Sequence, residues 1–194
     1  MHLDMQIKHQ KGEVLPLCVF LYMEVKRMKT TTKQLVINSL LLAVGFILHY
    51  VTPAIGSMQI DFSLITLVLV ITLNKNSFST CLASGVATGI FSGITTKFPL
   101  GFIPNIFDKI TTAIVVYLLI RLLDKTALNN KIKAIIVNAV GTLVSGIVFL
   151  ASALLLVGLP APFGVLFVTV VVPAIVANTV IGFLVNSICE KHRR

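Results

Sequence analysis

One stretch of the chain concentrates side chains that can bind a charged ligand. Residues 95–109 read TTKFPLGFIPNIFDK and place Lys97, Asn105, Asp108 and Lys109 among apolar neighbours. Charged groups are costly to leave near lipid, so they need partners of opposite charge. A zwitterionic small molecule would supply both partners at once. The stretch therefore predicts a binding site for such a ligand.

Two aspartates are candidates for the cationic end of that ligand. Asp61 and Asp108 each lie at or just within the end of an apolar segment, and carboxylates at membrane depth usually face a cavity or a cation. Either one would hold an ammonium group, while Lys97 or Lys109 would hold a carboxylate through charge-assisted hydrogen bonds. The alternative is structural: interfacial side chains that reach water, or an Asp–Lys bridge within the protein.

Aromatic side chains accompany these charges. Phe98, Phe102 and Phe107 could stack on a flat ring or cover it, and a nearby lysine would add cation–π attraction. An aromatic amino acid would use all of these features. Asn178 is a further candidate contact, with hydrogen bonding between helices as its alternative role.

The composition indicates what must position these residues. Of 194 residues, 56% are hydrophobic and 12% are charged, and the mean hydropathy is +0.97. A soluble fold needs more polar surface than this. In lipid, backbone groups must pair within helices or a closed barrel, and long continuous apolar runs favour helices over strands. The sequence predicts an all-α integral membrane bundle.

Six transmembrane helices are predicted. Their approximate bounds are 34–51, 59–73, 78–95, 106–123, 133–157 and 165–188. The second is short for a bilayer of about 30 Å, so it would sit in a thinned region or begin earlier. Prolines are expected between spans at 53, 99, 104, 160 and 162, whereas Pro173 predicts a kink inside the sixth span.

Basic residues predict the orientation. If the segment before the first span is cytoplasmic, ten lysines and arginines near span ends are cytoplasmic, and only Lys97 is exterior. This asymmetry favours both termini inside the cell, with the 97–109 stretch facing out. Because the charges cluster at span ends, the net charge of +9 does not indicate nucleic-acid binding.

Residues 1–27 differ from the rest of the chain. The apolar run 14–23 is too short to cross a membrane, and no small-residue cleavage site follows it. We hypothesise that the natural start is Met28, because codons for Met23-Glu24-Val25 can contain a ribosome-binding sequence. Residues 1–27 would then be a non-native extension before a membrane domain of 28–194. A disordered or interfacial tail is the alternative.

Small and polar residues predict helix packing. The third span carries glycines at four-residue spacing, which let helix backbones approach closely. Polar stripes on the fifth and sixth spans predict hydrogen bonds between helices. The residues concerned are Gly85, Gly89 and Gly93, then Asn138, Thr142 and Ser145, and then Asn178, Gly182 and Asn186. On the first span, Ser39 and Ala43 form a small-x-x-x-small face that we interpret as a docking surface for a partner helix.

Motifs for catalysis or tight metal binding are missing from the sequence. It contains no G-x-x-x-x-G-K-[ST], H-E-x-x-H, C-x-x-C or G-x-S-x-G. His49 stands alone and is interpreted as an interfacial or hydrogen-bonding residue, because metal sites need several ligands. We expect no enzymatic activity, no catalytic residues, no metal and no cofactor.

Three segments resemble a known family. The core F-P-x-G-x-I-P-N-x-x-D-K of residues 98–109, the stretch GTLVSGIVFLASALLLVGLP of 141–160 and VVVPAIVANT of 170–179 are similar to the tryptophan transporter family of Gram-positive bacteria. Members of that family look like substrate-binding S components of energy-coupling factor (ECF) transporters. The resemblance covers the chain from Met28 onward.

The resemblance implies a six-helix S component that binds tryptophan near the outer face. Its partners would be membrane lipid, an ECF transmembrane scaffold protein and two cytoplasmic ATPases, and the loaded subunit would topple to release its ligand. S components often carry A-x-x-x-A on the first helix, where this chain has Ser39 and Ala43. From the residues alone, a solitary carrier coupled to protons or sodium through Asp61 and Asp108 remains the alternative.

Overall fold

The described part of the chain folds into six helices. A computed structural model describes residues 30–53 and 59–193, with side chains described for 32–53 and 59–188. The helices are α1 (Thr30–Val51), α2 (Phe62–Leu73), α3 (Phe78–Ile94), α4 (Phe102–Asp124), α5 (Asn130–Leu156) and α6. This last helix joins Phe163–Leu166, a π-helical stretch Phe167–Val171, and Val172–Arg193. The predicted extension 1–27 lies outside the described residues.

The predicted fold class is confirmed. Over the described ranges all regular structure is helical, as in a membrane helical bundle. Three segments are long and apolar enough to cross a membrane by themselves, namely Thr32–Val51, Asn130–Leu156 and Phe163–Ile188, and α2 and α3 are shorter apolar helices. Four charged residues within α4 lower its hydropathy.

Two compact units divide the chain after Leu40, within α1. The first contributes only the beginning of α1 to the described structure. The second, from Leu41 onward, contains the rest of α1 and helices α2 to α6. The hydrophobic core and the cavity described in the next subsection also lie within it. The site described below therefore lies within one unit.

Helix α2 forms the centre of the core. It has 12 residues, and all of its side chains from Ser63 to Ile71 are buried. A helix that is apolar all round is stable only when other elements surround it. Its neighbours in the core come from α3, α4 and α5, and include Cys81, Val116 and Val137. The expectation that this span begins earlier is wrong, because the helix starts at Phe62 behind the N-cap Asp61.

Glycines bring α3 and α4 into close contact, as predicted. A methyl group added at Gly89 would lie 2.9 Å from the Cα of Ile106, and one added at Gly85 would lie 2.6 Å from the Cβ of Ala113. Distances this short leave no room for a side chain. The small-residue face therefore serves packing within the bundle.

The hydrogen bonds between helices that were predicted for the polar stripes of α5 and α6 form at two residues and not at three. Asn138, Thr142 and Asn186 donate to the carbonyls of Ala134, Asn138 and Gly182, each one turn earlier in the same helix. Such local carbonyls are always within reach of short polar side chains. Asn178 and Ser145 are the exceptions. The Oδ1 of Asn178 accepts the backbone N–H of Asp61, the N-cap of α2, at 3.2 Å, and the Oγ of Ser145 accepts a hydrogen bond from Lys109 of α4 at 3.2 Å.

Two prolines modify helices. Pro104 was predicted between spans but lies in the first turn of α4. Proline is tolerated there because the N–H groups of a first helical turn have no carbonyl partner within the helix. Pro173 follows the π-helical stretch Phe167–Val171. It lacks the N–H that the carbonyl of Thr169 would bind in an α-helix, and the wider turn accommodates this loss.

Candidate functional site

A cavity of about 700 Å³ opens at one end of the second unit. Its walls come from the end of α1, the start of α2, the α3–α4 connection, the first half of α4, the second half of α5 and the first half of α6. This volume falls within the usual range for small-molecule sites. The cavity brings together seven of the eight predicted ligand residues: Asp61, Lys97, Phe98, Asn105, Asp108, Lys109 and Asn178.

Lys109 forms the centre of a buried ionic cluster. Its Nζ lies 2.6 Å from Asp61 Oδ2, 2.6 Å from Asp108 Oδ2 and 3.2 Å from Ser145 Oγ. The side chains of Lys109 and Asp108 are 1% and 2% exposed, and that of Asp61 is 20% exposed. Buried charges of this kind are stable only with close partners. The structural alternative to ligand binding, an Asp–Lys bridge within the protein, is therefore present, and its residues line the cavity.

Two helices hold the two carboxylates in place, one at its N-terminus and one within its length. Asp61 is the N-cap of α2, and its Oδ1 accepts the N–H of Leu64 at 3.0 Å and the hydroxyl of Ser63 at 2.5 Å. An aspartate at this position also interacts favourably with the positive end of the helix dipole. Asp108 sits within α4, where the hydroxyl of Thr112 donates to its Oδ1 at 3.0 Å.

His49 stands beside this cluster. It is 7% exposed, and its Nδ1 lies 3.6 Å from Asp61 Oδ1, a separation longer than a hydrogen bond. This Nδ1 is buried without a hydrogen-bond partner among the described residues. Gln59 fixes the neighbouring backbone by donating to the carbonyls of His49 and Thr52 at 2.8 and 3.0 Å.

The α3–α4 connection covers part of the cavity. Exposed Lys97 donates to the carbonyl of Thr52, and buried Asn105 donates to the carbonyl of Gly101 at 2.7 Å. Phe98 meets Phe149 edge to face, with ring centroids 5.4 Å apart and an angle of 83°. This is a favourable aromatic geometry. The pair gives the cavity an aromatic wall beside apolar residues of α5 and α6.

Other predicted residues lie elsewhere. Phe102 is 43% exposed and is not part of the cavity lining, and Phe107 is 55% exposed. Both residues are on α4, but their side chains lie on a different face of the helix from those of Asn105 and Asp108. Ser39 and Ala43 are both exposed on α1.

Among the many lining residues that were not predicted as ligand contacts, three lie in or beside the ionic cluster and the aromatic wall. They are His49, Ser145 and Phe149. His49 was interpreted as interfacial, and Ser145 was placed on a polar stripe for helix contacts. The position of Ser145 three residues after Thr142 on one face of α5 was the available signal. Phe149 carries no signal in the sequence, since it lies within a continuous apolar run.

The cavity is equipped for binding by hydrogen bonds and charge. In the part of the chain with described coordinates, no three His, Cys, Asp or Glu residues group in a way that could hold a metal ion. The lining combines carboxylates, an imidazole and amides with apolar and aromatic side chains. A ligand with a charged end and an apolar ring matches this combination.

Known proteins resemble nearly the whole chain. A family model described as "Tryptophan transporter TrpP" matches residues 31–194. A "Probable tryptophan transport protein" of Clostridium perfringens is 48% identical over 175 residues, covering 86% of this chain and 96% of that protein. Proteins of the same name from Clostridium acetobutylicum and Bacillus subtilis are 45% and 42% identical, covering 86% and 82% of this chain and 97% and 91% of their own lengths. No solved structure matches.

Proposed function

Because this chain belongs to the TrpP tryptophan transporter family, we propose that it takes up tryptophan as the substrate-binding S component of an ECF transporter. Its relatives are named as transport proteins, in keeping with a non-enzymatic role. The observation that carries the proposal is a cavity whose lining contains both a buried ionic cluster and an aromatic pair.

The proposed substrate position follows from this lining. The ring of tryptophan lies against Phe98 and Phe149, where aromatic edges and faces are already paired. Its polar end lies toward the cluster of Asp61, Asp108 and Lys109 and the amides of Asn105 and Asn178. Lys97, at the exposed edge of the cavity, is the cation available to the substrate carboxylate.

In the proposed orientation, the cavity opens toward the exterior side of the membrane. Basic residues cluster at the opposite ends of the helices, where Lys75, Arg121, Lys125, Lys131 and Lys133 lie, whereas Lys97 lies at the cavity end. Cationic loops remain in the cytoplasm. The chain would thus be a multi-pass protein of the bacterial cell membrane with both termini cytoplasmic.

Energy would come from partner proteins. The chain contains no P-loop, so an ECF transmembrane scaffold and two ATPase subunits would drive transport. The exposed face at Ser39 and Ala43 is the proposed contact with the scaffold, because small residues allow helices to pack closely in membranes.

A solitary carrier is the second candidate, since buried Asp61 and Asp108 outnumber Lys109 in the cluster and could take a proton or sodium ion. Tryptophan uptake by cells separates the two. For the S component, collapse of the proton and sodium gradients with ATP maintained leaves uptake intact, and loss of the ATPase subunits abolishes it. The reverse pattern would establish the solitary carrier. Binding of tryptophan to the purified chain is expected in both cases, and its absence would refute both.

A further inference from the structure

The hydrogen-bond donors of Lys109 are fully used. An ammonium group has three N–H donors, and Lys109 Nζ already contacts Asp61 Oδ2, Asp108 Oδ2 and Ser145 Oγ at 2.6, 2.6 and 3.2 Å. A ligand carboxylate would have to displace one of these partners. Lys109 is therefore a positioning residue that holds the two aspartates together, and it is poorly placed to receive the carboxylate end of a ligand.

The cluster also lacks a positive charge. Counted in their ionised forms, two aspartates face one lysine, and the three side chains are 20%, 2% and 1% exposed. A buried charge without a counter-ion is strongly unfavourable. A cationic group that enters the cavity would balance the cluster, whereas an anionic group would add to the imbalance.

His49 supplies a second, independent indication. Its buried Nδ1 has no hydrogen-bond partner in the described structure and lies 3.6 Å from Asp61 Oδ1, and the residue lines the cavity. A buried polar atom left unpaired is unfavourable and is usually explained by a missing partner. A ligand ammonium that approaches both atoms from the same side would donate to the imidazole and to the carboxylate together.

We propose that the cavity selects its ligand through the ammonium group, held by Asp61 and His49, and therefore binds arylalkylamines that have no carboxylate. This proposal rests on the proposed function, because it assigns the two ends of the same substrate. The carboxylate end meets Lys97, which is exposed and already donates to the carbonyl of Thr52. Exposed ionic contacts contribute little to affinity.

Calorimetric titration of the purified chain with three indole compounds tests the proposal. Tryptamine has the ammonium without the carboxylate, and indole-3-propionate has the carboxylate without the ammonium. We expect tryptamine to bind within about tenfold of tryptophan, and indole-3-propionate to bind about a hundredfold more weakly or worse. Equal binding of the two analogues, or tighter binding of indole-3-propionate, would overturn the proposal.

Three variants separate the ends of the ligand. In Asp61→Asn, the amide oxygen can still cap α2 at Leu64, but the cluster loses its excess negative charge, so both amines should bind about a hundredfold more weakly. Lys97→Met should weaken tryptophan alone and leave tryptamine unchanged. His49→Leu should weaken both amines and spare indole-3-propionate. A Lys97→Met variant that loses both amines while Asp61→Asn retains them would reverse the assignment.

The same titrations distinguish this proposal from the proposed function. If tryptamine binds and tryptophan does not, the ammonium-selective site stands and tryptophan uptake falls. If tryptophan and indole-3-propionate bind and tryptamine does not, uptake stands and the ammonium-selective site falls. If none of the three compounds binds, both proposals are refuted.

Discussion

Removal of the Lys109 charge should destabilise the protein far more than removal of a surface charge with the same geometry. The chain provides a matched pair for this comparison. Lys109 Nζ lies 2.6 Å from its aspartate oxygens, and Lys75 Nζ lies 2.7 Å from Asp124 Oδ2. The distances are nearly equal, but the Lys109 side chain is 1% exposed and that of Lys75 is 44% exposed. Burial is therefore the variable that differs.

The expected magnitudes follow from burial. Lys109→Met leaves Asp61 and Asp108 close together without a cation, and breaking a buried ion pair in this way costs about 3–5 kcal/mol. At about 2–4 °C per kcal/mol for a chain of this size, the melting temperature should fall by about 6–20 °C. Lys75→Met removes an exposed pair worth about 0–1 kcal/mol, so its melting temperature should fall by at most about 4 °C.

Thermal unfolding of the detergent-solubilised variants is the measurement. The double variant Lys109→Met with Asp108→Asn should recover much of the lost melting temperature. Of the three charges in the cluster, Asp61 alone then remains, and it still caps α2. Equal shifts for Lys109→Met and Lys75→Met would show that the buried cluster is not held by its charges. A double variant no more stable than the single one would refute the charge-balance reasoning.

Two further comparisons use matched substitutions. Phe98→Ala should weaken tryptophan binding about tenfold, since it removes one ring of the aromatic wall. Phe102→Ala lies outside the cavity lining and should leave the affinity unchanged. Equal losses of affinity in calorimetry would show that Phe98 does not contact the ligand. Gly89→Ala should destabilise by about 1–3 kcal/mol, because its methyl group would overlap Ile106. Gly164→Ala is the control: its methyl group would meet open space, so the change should be neutral or stabilising by up to about 1 kcal/mol in thermal unfolding. If Gly89→Ala is as stable as Gly164→Ala, α3 and α4 do not pack closely at Gly89.

Local patterns in the sequence predicted the helices and their close contacts. The apolar runs placed each helix end within a few residues, and the glycine spacing of α3 predicted its packing on α4. These features depend on neighbouring residues along one helix. The polar stripes of α5 and α6 were misread in part, because Asn138 and Thr142 can satisfy their donors within their own helix.

Pairing within the site could not be predicted from local patterns. Asp61 and Lys109 are separated by 48 positions, and the sequence alone left a ligand, water or each other as equally valid partners. Phe98 and Phe102 looked equivalent in sequence, yet only Phe98 faces the cavity. Phe98 lies on the α3–α4 connection, whereas Phe102 begins α4 and its ring lies against Gly93 of α3.

The short length of α2 connects the fold to the chemistry of the site. Its 12 residues span about 18 Å, about 12 Å less than the hydrocarbon thickness of a typical bilayer. With its C-terminal end near Lys75 at the proposed cytoplasmic boundary, its N-cap Asp61 lies at membrane depth, where non-helical backbone is stable only if it is buried in protein or lines a cavity. Asp61 satisfies this condition, since it lines the cavity and its N–H is bound by Asn178 of α6. The short helix thus ends at the cavity wall and places the Asp61 carboxylate in the cavity lining.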